Sequence, residues 1–442
     1  MHALVLGASS KPPHGCFVIS GLTLVTDSKT VLADYAIVID DGVIKDLGPS
    51  SLLVHRYSEV LTLDGRGFVA MPGLINAHTH VAMGFFRGLC HGNEHMIEDI
   101  FFPAEKSLSK ELLAPLSYSY IYAGLVSGVT CFGDHYYFSE GVAAAMEKIG
   151  VRGVIGETVA DLGGAFPGRF GWERWRRLID AWPYSQRLTP SVAPHSVETC
   201  SEPLLRELAE YASQRKLPLH IHLAQTQSEA LFIKQRVGLT PVQVALRCGA
   251  LSDRTLAVHL VTSSSDDHTI LKDCGVTAVI CPASQIIYEH LAPIASLMTS
   301  GIPIALGTDS AASNDTADLF AEMRLLALLA RDRGVSEKQF RPEEVLRMTT
   351  EYPSRVLGLG DRIGSLAIGK AADIVFLKRD LSTEPSSHLL ANLIYSFGSR
   401  NVRHVMIDGR FVLYNGQLAL VSEDDLLAEY NMAVEELSLI HI

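Results

Sequence analysis

The chain has 442 residues, 48% hydrophobic and 19% charged, which is enough apolar material for a large core and leaves room for two or three domains. A formal net charge of −12 with no long basic run argues against nucleic acid or an anionic membrane surface as a partner. No run approaches the roughly 18 apolar residues of a membrane span, and the opening "MHALVLGASSKPPHG" lacks a basic segment leading into an apolar one, so neither a span nor a secretory leader is expected. Cys16, Cys90, Cys131, Cys200, Cys248, Cys274 and Cys281 are scattered, odd in number and free of any CxxC pair. That pattern excludes a disulfide framework and suits a reducing, cytoplasmic compartment.

Residues 1–70 alternate apolar and polar in short runs, "FVISGLTLVTD", "YAIVIDDGVIKDLG" and "VLTLDGRGFVA". The Asp-Asp-Gly and Asp-Gly steps predict hairpin turns. Residues 71–359 change character. Eight short apolar runs, "GLINAHTH", "VTCFGD", "VRGVIGET", "LTPSVAPH", "LPLHIHLA", "TLAVHLV", "TAVICPAS" and "IPIALGTD", alternate with longer helical patterns such as "SEPLLRELAEYASQRK". Eight β-then-α units over this length predict an α/β fold, a (β/α)8 TIM barrel, whose site lies at the C-terminal ends of the strands. Residues 360–442 return to strand-like runs, "GSLAIGKAADIVFL" and "VRHVMIDGRFVLYNGQL", and close with a capped amphipathic helix in "SEDDLLAEYNMAVEELSLI". Both chain ends are thus expected to build one small β-sandwich beside the barrel. The glycines of "GLGDRIGSLAIGKAADIV" lack the spacing of a phosphate loop.

The chemistry-bearing residues fall at the ends of the barrel-like strands. His78 and His80 lie two apart in "NAHTH", and residues two apart on a strand point the same way. His220 and His222 repeat that spacing, His259 ends "TLAVH", and Asp309 ends "IPIALGTD". Any one of these histidines could be an ordinary core residue; the set at four strand ends points to a metal. Neutral imidazoles with one carboxylate and no thiolates suit one divalent ion, Zn²⁺ first and Fe²⁺ as its competitor. Such an ion brings the pKa of a water it binds to about 7. These residues alone predict metal-assisted hydrolysis at the mouth of a barrel. His91, His95, His135 and His290 read as loop histidines. Of these, His135 is the one placed to line a pocket, beside Tyr136 and Tyr137, which could stack on a planar ring.

"PGLINAHTH", "PHSVETCSEPLL", "HIHLA", "PAS" and "GTDSAASND" resemble the amidohydrolase superfamily, and within it the branch of adenosylhomocysteine/methylthioadenosine deaminases and triazine hydrolases. The resemblance runs along nearly the whole chain. It implies metal ligands at His78, His80, His222 and Asp309, with His220 at a supporting position. It implies that His259 polarises the substrate or the water. Glu105, in "FFPAEK", matches a glutamate that grips ribose hydroxyls in the adenosine-type deaminases; on its own it reads as a solvated helix charge. His195 and Ser313 match further substrate contacts. Arg169 matches one of two arginines that reach a neighbouring subunit's ligand, which implies a homodimer or larger homo-oligomer. The other arginine position is Glu157 here, a departure that bears on recognition of a homocysteine carboxylate. The implied substrate is a small heterocycle, deaminated by hydrolysis.

Gln225 is the main departure, because the branch carries Glu there. That glutamate moves a proton from the water to a ring nitrogen, and an amide has no proton to exchange at neutral pH. A smaller departure is Gln285 in "PASQ", where Asn is common. Three readings of Gln225 follow. The proton travels by Asp309 and His259 while Gln225 only orients. Or the leaving group, such as chloride or an alkylamine, needs no ring protonation. Or the metal is kept and catalysis is lost.

Overall fold

Eight apolar runs in the middle of the chain form one parallel sheet. Its strands are Leu74–Thr79, Val129–Tyr136, Arg152–Val159, Leu188–Pro194, Leu219–Leu223, Thr255–His259, Thr277–Ile280 and Ile304–Leu306, paired in chain order. A parallel bridge from Thr79 to Asp309 brings the last strand's end back to the first, so the sheet curls into a barrel. The computed structural model describes residues 4–9, 11–89, 100–288 and 290–441. His91, His95 and Cys90 lie outside them, and His290 is exposed. All eight strands are the runs expected from the sequence. They are almost wholly buried, as parallel strands covered on both faces must be. Ile75, Ala77, Cys131, Val154, Leu256, Val258, Val279 and Ala305, from six of these strands, share one core. A larger core joins the strands to the surrounding helices, with Leu113, Leu116, Trp172, Leu204 and Leu326 among its members.

The two ends of the chain meet in a second sheet. Phe17–Val25, Val31–Asp40, Val43–Pro49, Leu61–Asp64 and Phe68–Pro72 come from the start, and Ile374–Lys378, Val402–Ile407 and Arg410–Tyr414 from the end. The seam is the antiparallel pairing of Phe68–Pro72 with Ile374–Lys378. Asp40-Asp41-Gly42 and Asp408-Gly409 make the hairpins that the sequence predicts. Asp64-Gly65 does not. Leu61–Asp64 and Phe68–Pro72 both run parallel to Phe17–Val25, along successive stretches of it. Gly65 donates its N–H to the Ser20 carbonyl at 2.7 Å, and Gly67 has φ 85°. The chain therefore steps sideways there and continues, because Phe17–Val25 offers an edge long enough for both segments.

Sheet and barrel are joined by a buried ion pair. Arg152, the first residue of the third barrel strand, donates from Nε and Nη2 to Asp373 at 2.7 and 3.0 Å, and from Nη2 to Asp408. The closing helix, Glu423–His441, packs on the barrel helix Lys110–Val126, where Tyr118 and Tyr122 donate to Glu429 and Glu423 at 3.1 and 3.0 Å. No helix among the described residues is long and apolar enough to cross a membrane.

Candidate metal centre and its pocket

The C-terminal ends of the barrel strands gather His78, His80, His222, His259 and Asp309 at one point. The Nε2 atoms of His78 and His80 lie 3.5 and 3.3 Å from Asp309 Oδ1, and the Nε2 atoms of His80 and His222 lie 3.4 Å apart. Four donors at the corners of a tetrahedron, each about 2.0–2.1 Å from zinc, stand about 3.3–3.4 Å from one another. The three spacings found here match that edge. The ligand atoms of His78, His222 and His259 also lie within 4.8 Å of one another.

Each ring is turned by a partner behind it. His80 Nδ1 donates to the His135 carbonyl, and His222 Nδ1 donates to the His195 carbonyl at 2.9 Å. A carbonyl only accepts, so both rings carry their proton on Nδ1 and present a lone pair on Nε2. His78 Nδ1 shares a 2.8 Å hydrogen bond with His220 Nε2, which explains the second His-x-His pair: His222 faces the cluster and His220 props His78. Such outer partners fix metal-binding imidazoles. Nε2 of His78 and of His259 are buried with no hydrogen-bond partner among the described residues. At His78, whose Nε2 faces Asp309 Oδ1, an unpaired buried lone pair is costly, and a bound cation removes that cost. The donor set therefore fits one divalent ion.

Electrostatics keep these donors in the form that a cation needs. Burial pushes His78 down to about 4 and His259 to about 3, and holds His220 and His222 well below the ordinary histidine value. Burial opposes the charge on Asp309 as well, but His78 and His80 outweigh it and hold the carboxyl well below the usual carboxylate range. His80 is the exception: burial disfavours its cation, while Asp309, Asp134 and the His135 carbonyl outweigh burial and raise its pKa. Ser284 donates to Asp309 Oδ2 at 2.6 Å, leaving Oδ1 toward the imidazoles. The backbone is strained at the same place. Ala224, His259, Leu260 and Asp309 all have positive φ, from 52° to 80°, a conformation that costs non-glycine residues energy and clusters at functional sites.

A cavity opens beside the cluster, lined by Glu105, His195, Gln225 and Ser313 together with His135, Tyr136 and Tyr137. Glu105 is buried and not a solvated helix charge. Tyr136 donates to it at 2.7 Å, and burial pushes its carboxyl up to about 7. His195 Nδ1 is tied to Thr199 Oγ1 at 2.8 Å. The side-chain amide of Gln225, unlike its backbone N–H, makes no hydrogen bond to a described residue.

A model of the amidohydrolase family matches residues 69–412. The chain belongs to the amidohydrolase family. It is 33% identical to a 5-methylthioadenosine/S-adenosylhomocysteine deaminase of Syntrophobacter fumaroxidans, over 93% of this chain and 95% of that one. It is 31% identical to a 5'-deoxyadenosine deaminase of Methanosphaera stadtmanae, over 94% and 98%. Among solved structures, an adenosine deaminase from Xanthomonas campestris with bound zinc is similar at a TM-score of 0.89 and 28% identity, over 97% and 100% of the two chains. An atrazine chlorohydrolase from Arthrobacter aurescens shares the fold, with a TM-score of 0.86 at 24% identity, over 95% of this chain and 100% of that one.

Within this amidohydrolase, two expected residues sit apart from the cavity. Arg169 is exposed and paired with Glu207 at 2.6 Å, so it does not line its own chain's pocket. Glu157 accepts from the backbone of Phe138 and Ser139 and from Arg174, as a brace under the adjoining loop. Gln285, the smaller departure, donates to the His259 carbonyl at 2.9 Å and so supports that strained turn. The sequence reading missed Ser284, which only its place between "PA" and Gln285 could have flagged. It also missed Glu229, four residues beyond Gln225. Glu229 accepts from the backbone N–H of Gln225 at 2.6 Å and of Ala224 at 3.3 Å and does not line the cavity, so it shapes the turn that carries Gln225 without taking over a proton carrier's place.

Proposed function

We propose that this amidohydrolase is a cytoplasmic, metal-dependent aminohydrolase that deaminates a purine-like or triazine-like heterocycle. The observation that carries the reading is the convergence of three oriented imidazole lone pairs and one ionised carboxylate beside a pocket that contains a buried acid. His78, His80, His222 and Asp309 would hold one ion, zinc before iron, which when bound acidifies water and polarises the reacting ring carbon. Asp309 is the base for the attacking water, since its neighbours keep it ionised. His259 is kept neutral by burial and presents Nε2 unpartnered among the described residues; with its proton on that nitrogen it stabilises or protonates the other side of the reacting centre. Gln225 orients substrate or water through its amide. Glu105, His195 and Ser313 hold the rest of the substrate, and the buried Glu105–Tyr136 pair suits a hydroxyl-bearing group such as a ribose. The named activities of the relatives, on adenosine derivatives, support the same class. The chain is read as a homo-oligomer in which Arg169, turned away from its own pocket, reaches a neighbour's.

A second reading, removal of chloride or another non-amino substituent, is favoured by Gln225 itself. Among the described residues no carboxylate takes the place of a proton carrier there, and a stable leaving anion needs none. Ammonia release across a panel of adenosine derivatives, aminotriazines and chlorotriazines, with metal content measured alongside, separates the two. Gln225→Glu sharpens the result. It should raise the rate on adenosine derivatives if ring protonation limits turnover, and lower it if a different group leaves. A fully metallated protein that releases neither ammonia nor chloride from the panel would overturn both readings.

A further inference from the structure

We infer that Glu322, outside the pocket, is a positioning residue for Asp309, clamping together the two segments that hold it. Glu322 lies on the helix Leu319–Asp332 and is buried, but it does not line the cavity. One carboxylate oxygen, Oε2, accepts from the backbone N–H of Ala283 at 3.1 Å. The next residue, Ser284, is the one whose hydroxyl donates to Asp309 Oδ2. The other oxygen, Oε1, accepts from Asn314 Nδ2 at 2.6 Å, and the same Nδ2 donates to the Thr308 carbonyl at 2.8 Å, directly before Asp309. Glu322 therefore grips the loop that steers the Asp309 side chain and the loop that sets its backbone.

Asp309 needs such support because it sits at φ 60° at the end of a three-residue strand, Ile304–Leu306, with little ladder of its own. The opposite flank is already fastened. Asn76 pairs with Thr308 in both directions, at 2.7 and 3.1 Å, and Tyr120 donates within hydrogen-bond reach of the Asp309 carbonyl at 3.0 Å. Glu322 completes the restraint on the side facing Ser284. Its two partners among the described residues are both N–H donors, so both oxygens must accept. A carboxylate does this; an amide, with one acceptor and one donor, sets N–H against N–H on one side.

The inference rests on Asp309 as a ligand, and the test keeps the two apart. Zinc retention against a chelator, kcat and KM, and the melting temperature of the metal-free protein are measured for wild type, Glu322→Gln and Asn314→Ala. For Glu322→Gln, loss of zinc about 10–100-fold faster and a similar fall in kcat are expected, since outer partners of ligands carry effects of that size, with KM little changed and the metal-free melting temperature lowered only by the one mismatched N–H contact. Asn314→Ala should move the same readouts in the same direction, and it decides the matter if Glu322→Gln does not fold. Variants that hold zinc as long as wild type, or that lose only melting temperature, overturn the positioning role. A wild type that takes up no zinc overturns the ligand reading, and this one with it.

Discussion

The floor and the mouth of the barrel both bury polar groups, but they satisfy them differently. At the floor, Arg152 meets Asp373 and Asp408 with opposite charges already in hydrogen-bond contact, leaving only its Nη1 without a partner among the described residues. At the mouth, seven histidines crowd together, most of them neutral, and several nitrogens face one another unpaired. A pair of matched charges is complete in itself and ties two domains' worth of chain together. A cluster of lone pairs is complete only with a cation. The contrast teaches that unpaired buried acceptors, more than buried charge, mark the functional end of this barrel.

The comparison predicts separable losses. His222→Ala should remove both the ion and essentially all turnover while the protein still folds, checked by metal analysis and circular dichroism; a full equivalent of metal in that variant would redirect the ligand assignment to His220. His259→Ala should keep the metal and lower kcat by about 10²–10⁴-fold, the usual worth of acid–base assistance. At the floor, Arg152→Met should do the reverse. Leaving two carboxylates without their cation costs about 3–5 kcal/mol in urea unfolding, with activity per folded molecule unchanged.

Glu105 lies between these extremes. Its folded value of about 7 lies above the ordinary 4.5, so the folded state binds the proton more tightly than the unfolded chain. The resulting stabilisation is full below pH 4.5 and is lost as pH rises through about 7. Glu105→Gln keeps an acceptor for Tyr136 and abolishes the titration. Its melting temperature should gain on wild type between pH 5 and 8, by up to the order of 3 kcal/mol in stability. A constant difference across that range would mean the carboxyl titrates normally. The smallest effect is expected for Gln225→Ala, one neutral hydrogen bond or about 0.5–1.5 kcal/mol in kcat/KM. A metallated Gln225→Ala as inactive as His259→Ala would show that the amide acts in the transition state.

The barrel was legible because its strands are short apolar runs that end on chemistry-bearing residues, and His-x-His twice over is a pattern few other sites produce. The direction of each ring was not. The residues alone leave His220 and His222 equivalent, and only the family resemblance set His222 at the ion and His220 behind it. The contacts that turn the rings, His222 Nδ1 to the His195 carbonyl, His80 Nδ1 to the His135 carbonyl and His78 Nδ1 to His220 Nε2, join residues far apart in the chain. Asp64-Gly65 misled because a dipeptide specifies a change of direction and not what edge is available to receive the next strand. Ser284, Glu229 and Glu322 stayed hidden for a shared reason: each acts through backbone or a neighbouring side chain, and a serine or a glutamate on a helix carries no spacing that announces such a partner.

The seam between Phe68–Pro72 and Ile374–Lys378 has a consequence for the order of events at the ribosome. Its two strands are separated by roughly 300 residues, so the pairing is among the most non-local in the molecule, the kind that forms slowly. During synthesis the first strands emerge with one edge unpaired, and the whole barrel is made before their partner appears. Until then an apolar sheet edge stands open, the kind of surface that chaperones cover and that other chains add to.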